Sequence, residues 1–277
     1  MKLEDYRVLV HKHTADFDPA DAVRAIKAWL EGYAVSSGMK RAVIGISGGK
    51  DSTIVAKILV DVLGKDNVKG LLMPNGEQKD INDSIRVVEL LEIENKTINI
   101  KPAYDAIIEM LGGEDAVSNE AKINIAPRIR MTNLYTYGQT HHCRVAGTGN
   151  LSELTLGYFT KYGDGGHDFN LIAGFTSLEV MRIGEELGLP LDLVYKTPDD
   201  GLSGMSDEEK LGITYVEMHN YLRKKGKDVS REQLQKIMRM EAYAWHKRKT
   251  IPFVEYNYIK PGYGYTVTNM PDFGNAD

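Results

Sequence analysis

The residues best suited to chemistry fall in two glycine-bearing blocks. The first, Gly45-Ile46-Ser47-Gly48-Gly49-Lys50-Asp51-Ser52, follows an apolar β-branched run and precedes a helical pattern. Gly48 and Gly49 let the backbone turn sharply and approach a ligand closely. Amide N–H groups and a helix N-terminus then converge on one spot and favour an anion. Ser47 and Ser52 add hydroxyl donors. Asp51 is an acid beside that expected phosphate, which is sensible if a divalent cation bridges the two, because Mg²⁺ takes carboxylate and phosphate oxygens together. The spacing fits neither GxxxxGK[ST] nor GxGxxG. A plain glycine turn with Asp51 and Ser52 as helix caps is the alternative, and the strand-before, helix-after context weighs against it.

The second block begins Gly147-Thr148-Gly149-Asn150-Leu151-Ser152-Glu153 and continues Gly157-Tyr158-Phe159-Thr160-Lys161-Tyr162-Gly163-Asp164-Gly165-Gly166-His167-Asp168. Thr148 lies just beyond a strand's carboxyl end, where ligands of open α/β sheets bind. Glu153 can offer Mg²⁺ a second carboxylate. Lys161 is a cation for a substrate phosphate or for a carboxylate under attack. Gly163, Gly165 and Gly166 let backbone approach a flat or anionic group, and Asp168 can accept hydrogen bonds from a ribose or a carboxamide. Taken singly, Glu153 and Lys161 are surface charges; their place in one long block singles them out.

The SGGxDS loop resembles the pyrophosphate loop of the N-type ATP pyrophosphatases, which include NAD synthetase, GMP synthetase, asparagine and argininosuccinate synthetases and tRNA-modifying adenylating enzymes. That resemblance implies ATP cleaved between its α and β phosphates and an acceptor oxygen adenylylated. The second block is similar to the NAD synthetase signature, and the resemblance runs from about Pro19 to Pro252. Asn124-Ile125-Ala126-Pro127-Arg128-Ile129-Arg130-Met131 is similar to a helix of that family in which Arg130 falls on a substrate-contacting arginine. Arg128 and Arg130 do not share a helix face, which leaves one of them for a structural ion pair. His246-Lys247 matches a late His-Lys pair that reaches the dinucleotide across a dimer. Two positions depart from the family: Ser177 follows Thr176 where a lysine is common, and Pro198-Asp199-Asp200-Gly201-Leu202 replaces P[ST]ADL. Ser177 and Asp199 fall where ATP phosphates are held, and Lys196 or Lys50 could replace the lost charge.

These residues need a scaffold. Asp18-Pro19 reads as N-cap and first residue of a helix stopped by Gly38. Strands are predicted at Ala42–Ile46, Val68–Met73, Thr97–Ile100 and Arg144–Gly147, alternating with helices at Ser52–Leu63 and Asp80–Ile93 and with helical pieces from Pro102 to about Tyr137. Such alternation implies a parallel sheet covered on both faces. The fold class is therefore α/β, a doubly wound parallel sheet with additional helices, which the resemblance refines to adenine nucleotide alpha hydrolase-like and Rossmann-like. Tyr158–Gly174 lacks periodicity and reads as an ordered loop. Helical patterns return at Thr176–Leu187, Thr214–Lys225 and Ser230–Lys247. The chain reads as one domain over 1–277, with an N-terminal helix at 19–40, a core at 41–250 and a C-terminal arm at 251–277 that holds four tyrosines.

The 277 residues are 42% hydrophobic and 26% charged, which excludes disorder of the whole chain. A net charge of −5 argues against a phosphate backbone as partner. The single cysteine, Cys143, excludes an intrachain disulfide, a cysteine-cluster zinc site or a CxxC pair. No secretory signal and no run of the ~18 apolar residues a membrane span needs is visible, so a cytoplasmic chain is expected. The resemblance implies an ammonia-dependent ligase that uses ATP and Mg²⁺ to amidate deamido-NAD⁺ through an NAD-adenylate. In that reading Asp51 and Lys161 are catalytic, Asp51 and Glu153 hold the metal, the loop with Thr148, Ser177 and Asp199 binds ATP, and Arg130, Lys161, Asp168, His246 and Lys247 bind deamido-NAD⁺. No glutamine amidase domain is expected, nor a nucleic-acid or membrane partner; a homodimer is. The rivals are another adenylating ATP pyrophosphatase, such as a tRNA-modifying enzyme, and a non-catalytic nucleotide sensor.

Overall fold

The computed structural model describes residues 2–77, 81–196 and 207–249, plus the backbone of two short strands beyond them. Helices α1 (Leu3–His13) and α2 (Pro19–Ser37) lead into β1 (Ala42–Gly45), α3 (Lys50–Leu63), β2 (Val68–Leu72), α4 (Ile81–Leu90) and β3 (Glu94–Thr97). The chain then forms α5 (Lys101–Met110), α6 (Asn119–His141), β4 (Arg144–Gly147), α7 (Leu151–Leu156) and β5 (Phe169–Asn170). Five more helices follow: α8 (Ser177–Glu186), α9 (Leu191–Val194), α10 (Asp207–Leu211), α11 (Tyr215–Arg223) and α12 (Arg231–Arg248). Two strands, β6 (Phe253–Glu255) and β7 (Thr266–Thr268), pair antiparallel; the rest of the predicted C-terminal arm lies outside the described residues.

The sheet has the order β3-β2-β1-β4-β5, every pair parallel. Side chains alternate between its faces with the period of a strand. Ala42, Ile44, Leu72 and Ala146 point into the larger core, where they meet α2, α3, α4 and α8. Val43, Leu71 and Val145 point the other way, onto α5 and α6. Both faces are covered, so the predicted doubly wound sheet is the one observed. From β1 the chain winds outward to β2 and β3, then returns to place β4 on the opposite flank. That reversal opens a crevice between the carboxyl ends of β1 and β4, the place where such sheets take ligands.

Three elements differ from the sequence expectation. The third strand begins at Glu94 rather than Thr97, although Ile98 N and Ile100 N still donate to Leu72 O at 2.8 Å and Pro74 O at 2.9 Å. Glu94–Thr97 is an edge strand whose four residues are all exposed, so no apolar pattern marks its start. The expected loop Tyr158–Gly174 contains the two-residue strand β5, too short for periodicity to show. Helix α1 is not signalled by the sequence because Val10 is its one buried residue. It is held by charge: Arg7 Nε donates to Glu185 Oε1 at 2.8 Å, and His11 Nε2 lies 2.7 Å from Glu185 Oε2.

Candidate active site at the carboxyl edge of the sheet

The loop after β1 is braced by its own hydroxyls. Ser47 Oγ and Ser52 Oγ lie 3.1 Å apart, Gly49 N donates to Ser47 Oγ at 3.2 Å, and Ser52 Oγ donates to Gly49 O at 3.1 Å. Gly49 is the N-cap of α3, so the orphan amides of that helix's first turn open toward the crevice. Gly48 has φ +79° and sits against α4; a Cβ there would lie 2.8 Å from Ser84 N and 2.9 Å from Asp83 Cβ. Only glycine fits both the backbone conformation and the space.

Ser47, Gly49, Asp51 and Ser52 from this loop meet Thr148, Gly149, Glu153, Tyr158 and Asp164 around one cleft of about 250 Å³. The two carboxylates expected to hold a metal are therefore brought together. Asn150, fully buried at the N-cap of α7, ties them: its Nδ2 donates to Asp51 Oδ1 at 3.3 Å, its Oδ1 accepts from Glu153 N at 3.2 Å, and its own N–H donates to Glu153 Oε2 at 3.0 Å. Burial pushes the Glu153 carboxyl well above the usual carboxylate range, the charge of Asp51 pushes it further, and Lys50 opposes both. Lys50 is buried, with Nζ 2.6 Å from Asp51 Oδ2 and 5.4 Å from the centre of the Tyr215 ring. Two facing carboxylates are the usual protein share of a Mg²⁺ site, the remainder being water and phosphate. The donor set fits that ion.

Asp164, which lines the cleft, and Asn150, which ties two of its carboxylates, are residues to which the sequence reading gave no role. The Asn150-x-x-Glu153 spacing of a capping box was the available signal. Asp164 accepts from Thr160 N at 2.9 Å; burial raises its carboxyl, while Lys247 and Arg130 pull it down. Arg130 donates from Nε to Met73 O at 3.0 Å, just past the end of β2, which puts it over the carboxyl edge of the sheet as expected. Arg128 takes no part in the expected ion pair among the described residues; its Nε donates to Lys161 O at 3.4 Å.

Several expected ligand residues are placed differently. Lys161 Nζ donates to His246 O at 2.8 Å, drawn to the negative end of α12, and does not line the cleft. Lys247 Nζ donates to Gly157 O at 2.7 Å and Phe159 O at 2.8 Å, pinning the start of the glycine block to α12. Asp168 accepts from Val145 N at 2.8 Å and from Tyr135 Oη at 3.3 Å, holding β4 to its neighbours. Gly163 and Gly166 pack closely on α6: Cβ atoms there would meet Pro127 Cβ at 2.8 Å and Met131 Cγ at 3.0 Å. Ser177 is fully buried at the first turn of α8, its N–H donating to Ser152 Oγ at 3.1 Å, and it is not among the residues that line the cleft. His246 is exposed beside Tyr243, ring centres 6.1 Å apart. Asp199 and the segment from Pro198 to Leu202 lie outside the described residues.

The chain is similar to known proteins over most of its length. The NAD synthase family model matches residues 22–251. The NH(3)-dependent NAD(+) synthetase of Archaeoglobus fulgidus is 38% identical over 236 residues, 83% of this chain and 94% of the relative. That of Methanosarcina acetivorans is 35% identical over 255 residues, 87% and 99%. Among solved structures, NMN synthetase from Francisella tularensis aligns with a TM-score of 0.78 at 32% identity, covering 89% of this chain and all of that one. The NH3-dependent NAD synthetase of Campylobacter jejuni, in complex with the nitrate ion, gives 0.73 at 26%, covering 86% and all of that chain.

Proposed function

The chain belongs to the NAD synthase family, and on that premise we propose that the crevice amidates deamido-NAD⁺ with ammonia at the expense of ATP. One observation carries the assignment of the site. The Ser47–Ser52 loop, Thr148 and the Asp51/Glu153 pair, nearly 100 positions apart in sequence, line a single cleft at the strand reversal.

The nicotinate carboxylate attacks the α-phosphorus of ATP, and pyrophosphate leaves. Ammonia then attacks the resulting acyl carbon, forming the C–N bond and expelling AMP. No side chain acts as nucleophile; the chain supplies position and charge. Loop amides with Ser47 and Ser52 bind the departing pyrophosphate. Asp51 and Glu153 would hold Mg²⁺, which offsets the charge that develops on it. Asn150 fixes the two carboxylates toward one point, and Arg130 orients the nicotinate nucleotide. Among the described residues no helix is long and apolar enough to cross a membrane.

A homodimer is part of the proposal. Between α5 and α6 runs an apolar groove of about 360 Å³ lined by Ile107, Leu111, Val117, Ile125 and Ile129. Leu111, which lines it, and the adjoining Met110 are 59% and 76% exposed, an apolar edge of the kind that marks a contact surface. Sedimentation at micromolar concentration showing only a single-chain species refutes this.

A second reading concerns the acceptor. The NMN synthetase structure aligns more closely than the NAD synthetase of C. jejuni, and Lys247, expected on the dinucleotide, is committed to backbone carbonyls. Both favour nicotinate mononucleotide, which carries the same carboxylate without the AMP half. The test is amide formation from each acceptor with ATP and Mg²⁺, given ammonium and then glutamine. NAD⁺ from ammonium alone supports the first reading, preference for the mononucleotide the second, and product from neither refutes both.

A further inference from the structure

We propose that Lys196 is a phosphate-binding residue held ready by Asp83: its ammonium rests on that carboxylate beside the glycine loop and passes to the phosphates of a bound nucleotide. The inference rests on the reading of the loop as an ATP site. Gly48 leaves no space between the loop and the Asp83–Ser84 turn of α4. Asp83 Oδ2 in turn receives Lys196 Nζ at 2.5 Å. The ammonium therefore lies within two side-chain lengths of the loop amides. A bare carboxylate at this place would repel a polyphosphate, so the lysine neutralises it and supplies the attraction.

The pair is built to exchange partners. Its side chains are 30% and 34% exposed, in the range where a carboxylate–ammonium contact is weak, whereas a phosphate offers a stronger charge-assisted partner. The backbone leading to Lys196 is firm. Leu193, Val194 and Tyr195 are buried, and Tyr195 Oη donates to Glu185 Oε2 at 2.9 Å. Only the four-carbon stem has to swing. The junction of α4 with α9 survives that swing, because Arg86 Nη2 separately donates to Asp192 Oδ1 at 3.1 Å. Ser84, 1% exposed at the same contact, has a hydroxyl with no partner among the described residues, a further donor facing an incomplete polar environment.

The test is calorimetric titration of the full-length protein with Mg²⁺·ATP, Mg²⁺·pyrophosphate and adenosine, comparing wild type with Lys196→Gln, Lys196→Arg and Asp83→Asn. Lys196→Gln is expected to weaken ATP and pyrophosphate by about tenfold or more, the loss of one charged contact, and to leave adenosine unchanged. Lys196→Arg should keep most of the affinity. Asp83→Asn should bind ATP as tightly as wild type or more tightly, since it removes a carboxylate that competes with phosphate for the ammonium. Unchanged affinity in Lys196→Gln overturns the inference. So does equal weakening in Lys196→Gln and Asp83→Asn, which marks a structural tie. If wild type binds adenosine but neither phosphate ligand, the loop assignment itself fails and this inference with it.

Discussion

Replacing Gly48 with alanine tests the loop at its most constrained point. Two costs add. The backbone has φ +79°, a region that charges an L-residue about 1–2 kcal/mol. The new methyl would stand 2.8 Å from Ser84 N and 2.9 Å from Asp83 Cβ, and neither can rotate away, so overpacking adds roughly 1–3 kcal/mol. Gly48→Ala should therefore lose about 2–5 kcal/mol, or shift the loop off α4 and shed part of that cost as lost nucleotide affinity. Gly49→Ala is the internal control. Its φ is −82°, and a methyl there meets only Ser47 Oγ at 3.3 Å, so its cost should stay under about 1 kcal/mol. Urea unfolding reads the strain, and ATP titration reads the displacement. If Gly48→Ala matches Gly49→Ala in both, the packing of the loop on α4 is not what this reasoning requires.

Three further outcomes are expected. Asp51→Asn and Glu153→Gln should lower turnover by roughly a hundredfold or more; Glu153→Gln should leave the urea midpoint near wild type, whereas Asp51→Asn should lower it, because it removes a counter-charge from the buried Lys50. Wild-type turnover in either removes that residue from the metal site. Ser177→Ala should leave the KM for ATP unchanged and cost no stability, since its buried hydroxyl has no partner among the described residues; a raised KM would put it back at the phosphates. His219 is buried, with Nδ1 2.9 Å from Thr176 Oγ1, and burial depresses its pKa below the unfolded value of about 6.5. A depressed histidine gives stability that is fully present above that unfolded value and lost as pH falls toward the folded one. Urea midpoints should thus decline below pH ~6.5 in wild type and decline less in His219→Gln; parallel profiles would contradict the assignment.

The scaffold was legible where burial imposes a pattern. β1, β2 and β4 are buried runs between turn signals, and the Asp18-Pro19 start and Gly38 stop of α2 are both real caps, Asp18 Oδ1 accepting from Asp21 N at 3.0 Å and Gly38 adopting φ 67°. β3 and α1 were not legible in that way, since edge and surface elements are held by ladder bonds and ion pairs that leave no hydrophobic period. The same division runs through the site. Residues joined to the sheet by short, glycine-fixed connections, Ser47 to Ser52 and Thr148 to Glu153, fell where their spacing implied. Lys161, Lys247 and Asp168 also hydrogen-bond backbone groups that spacing does not reveal: a helix C-terminus, two loop carbonyls and a strand amide. Motif membership specifies that a residue is needed there; only the local competition of hydrogen-bond partners specifies what it touches.

The charge arrangement of the cleft explains why a phosphate loop carries acids. Amides at the start of α3 attract an anion, yet Asp51, Glu153 and Asp164 line the same space. A naked polyphosphate entering there would face carboxylates at close range in a partly desolvated cleft, where like charges repel strongly. Lys50 relieves part of this by neutralising Asp51 from beneath, and Asn150 holds Asp51 and Glu153 without adding charge. Burial raises the carboxyls of Glu153 and Asp164, so their full negative charge develops when a cation arrives between them and the phosphates. Such a site favours a nucleotide that arrives with its cation over one that does not, so the acids act as a filter for the metal complex. On the proposed assignment the loop alone would bind phosphate indiscriminately, and together with the two carboxylates it would select the form of ATP whose pyrophosphate is already partly neutralised, which is the better leaving group. Binding preference and bond cleavage thus draw on the same two side chains.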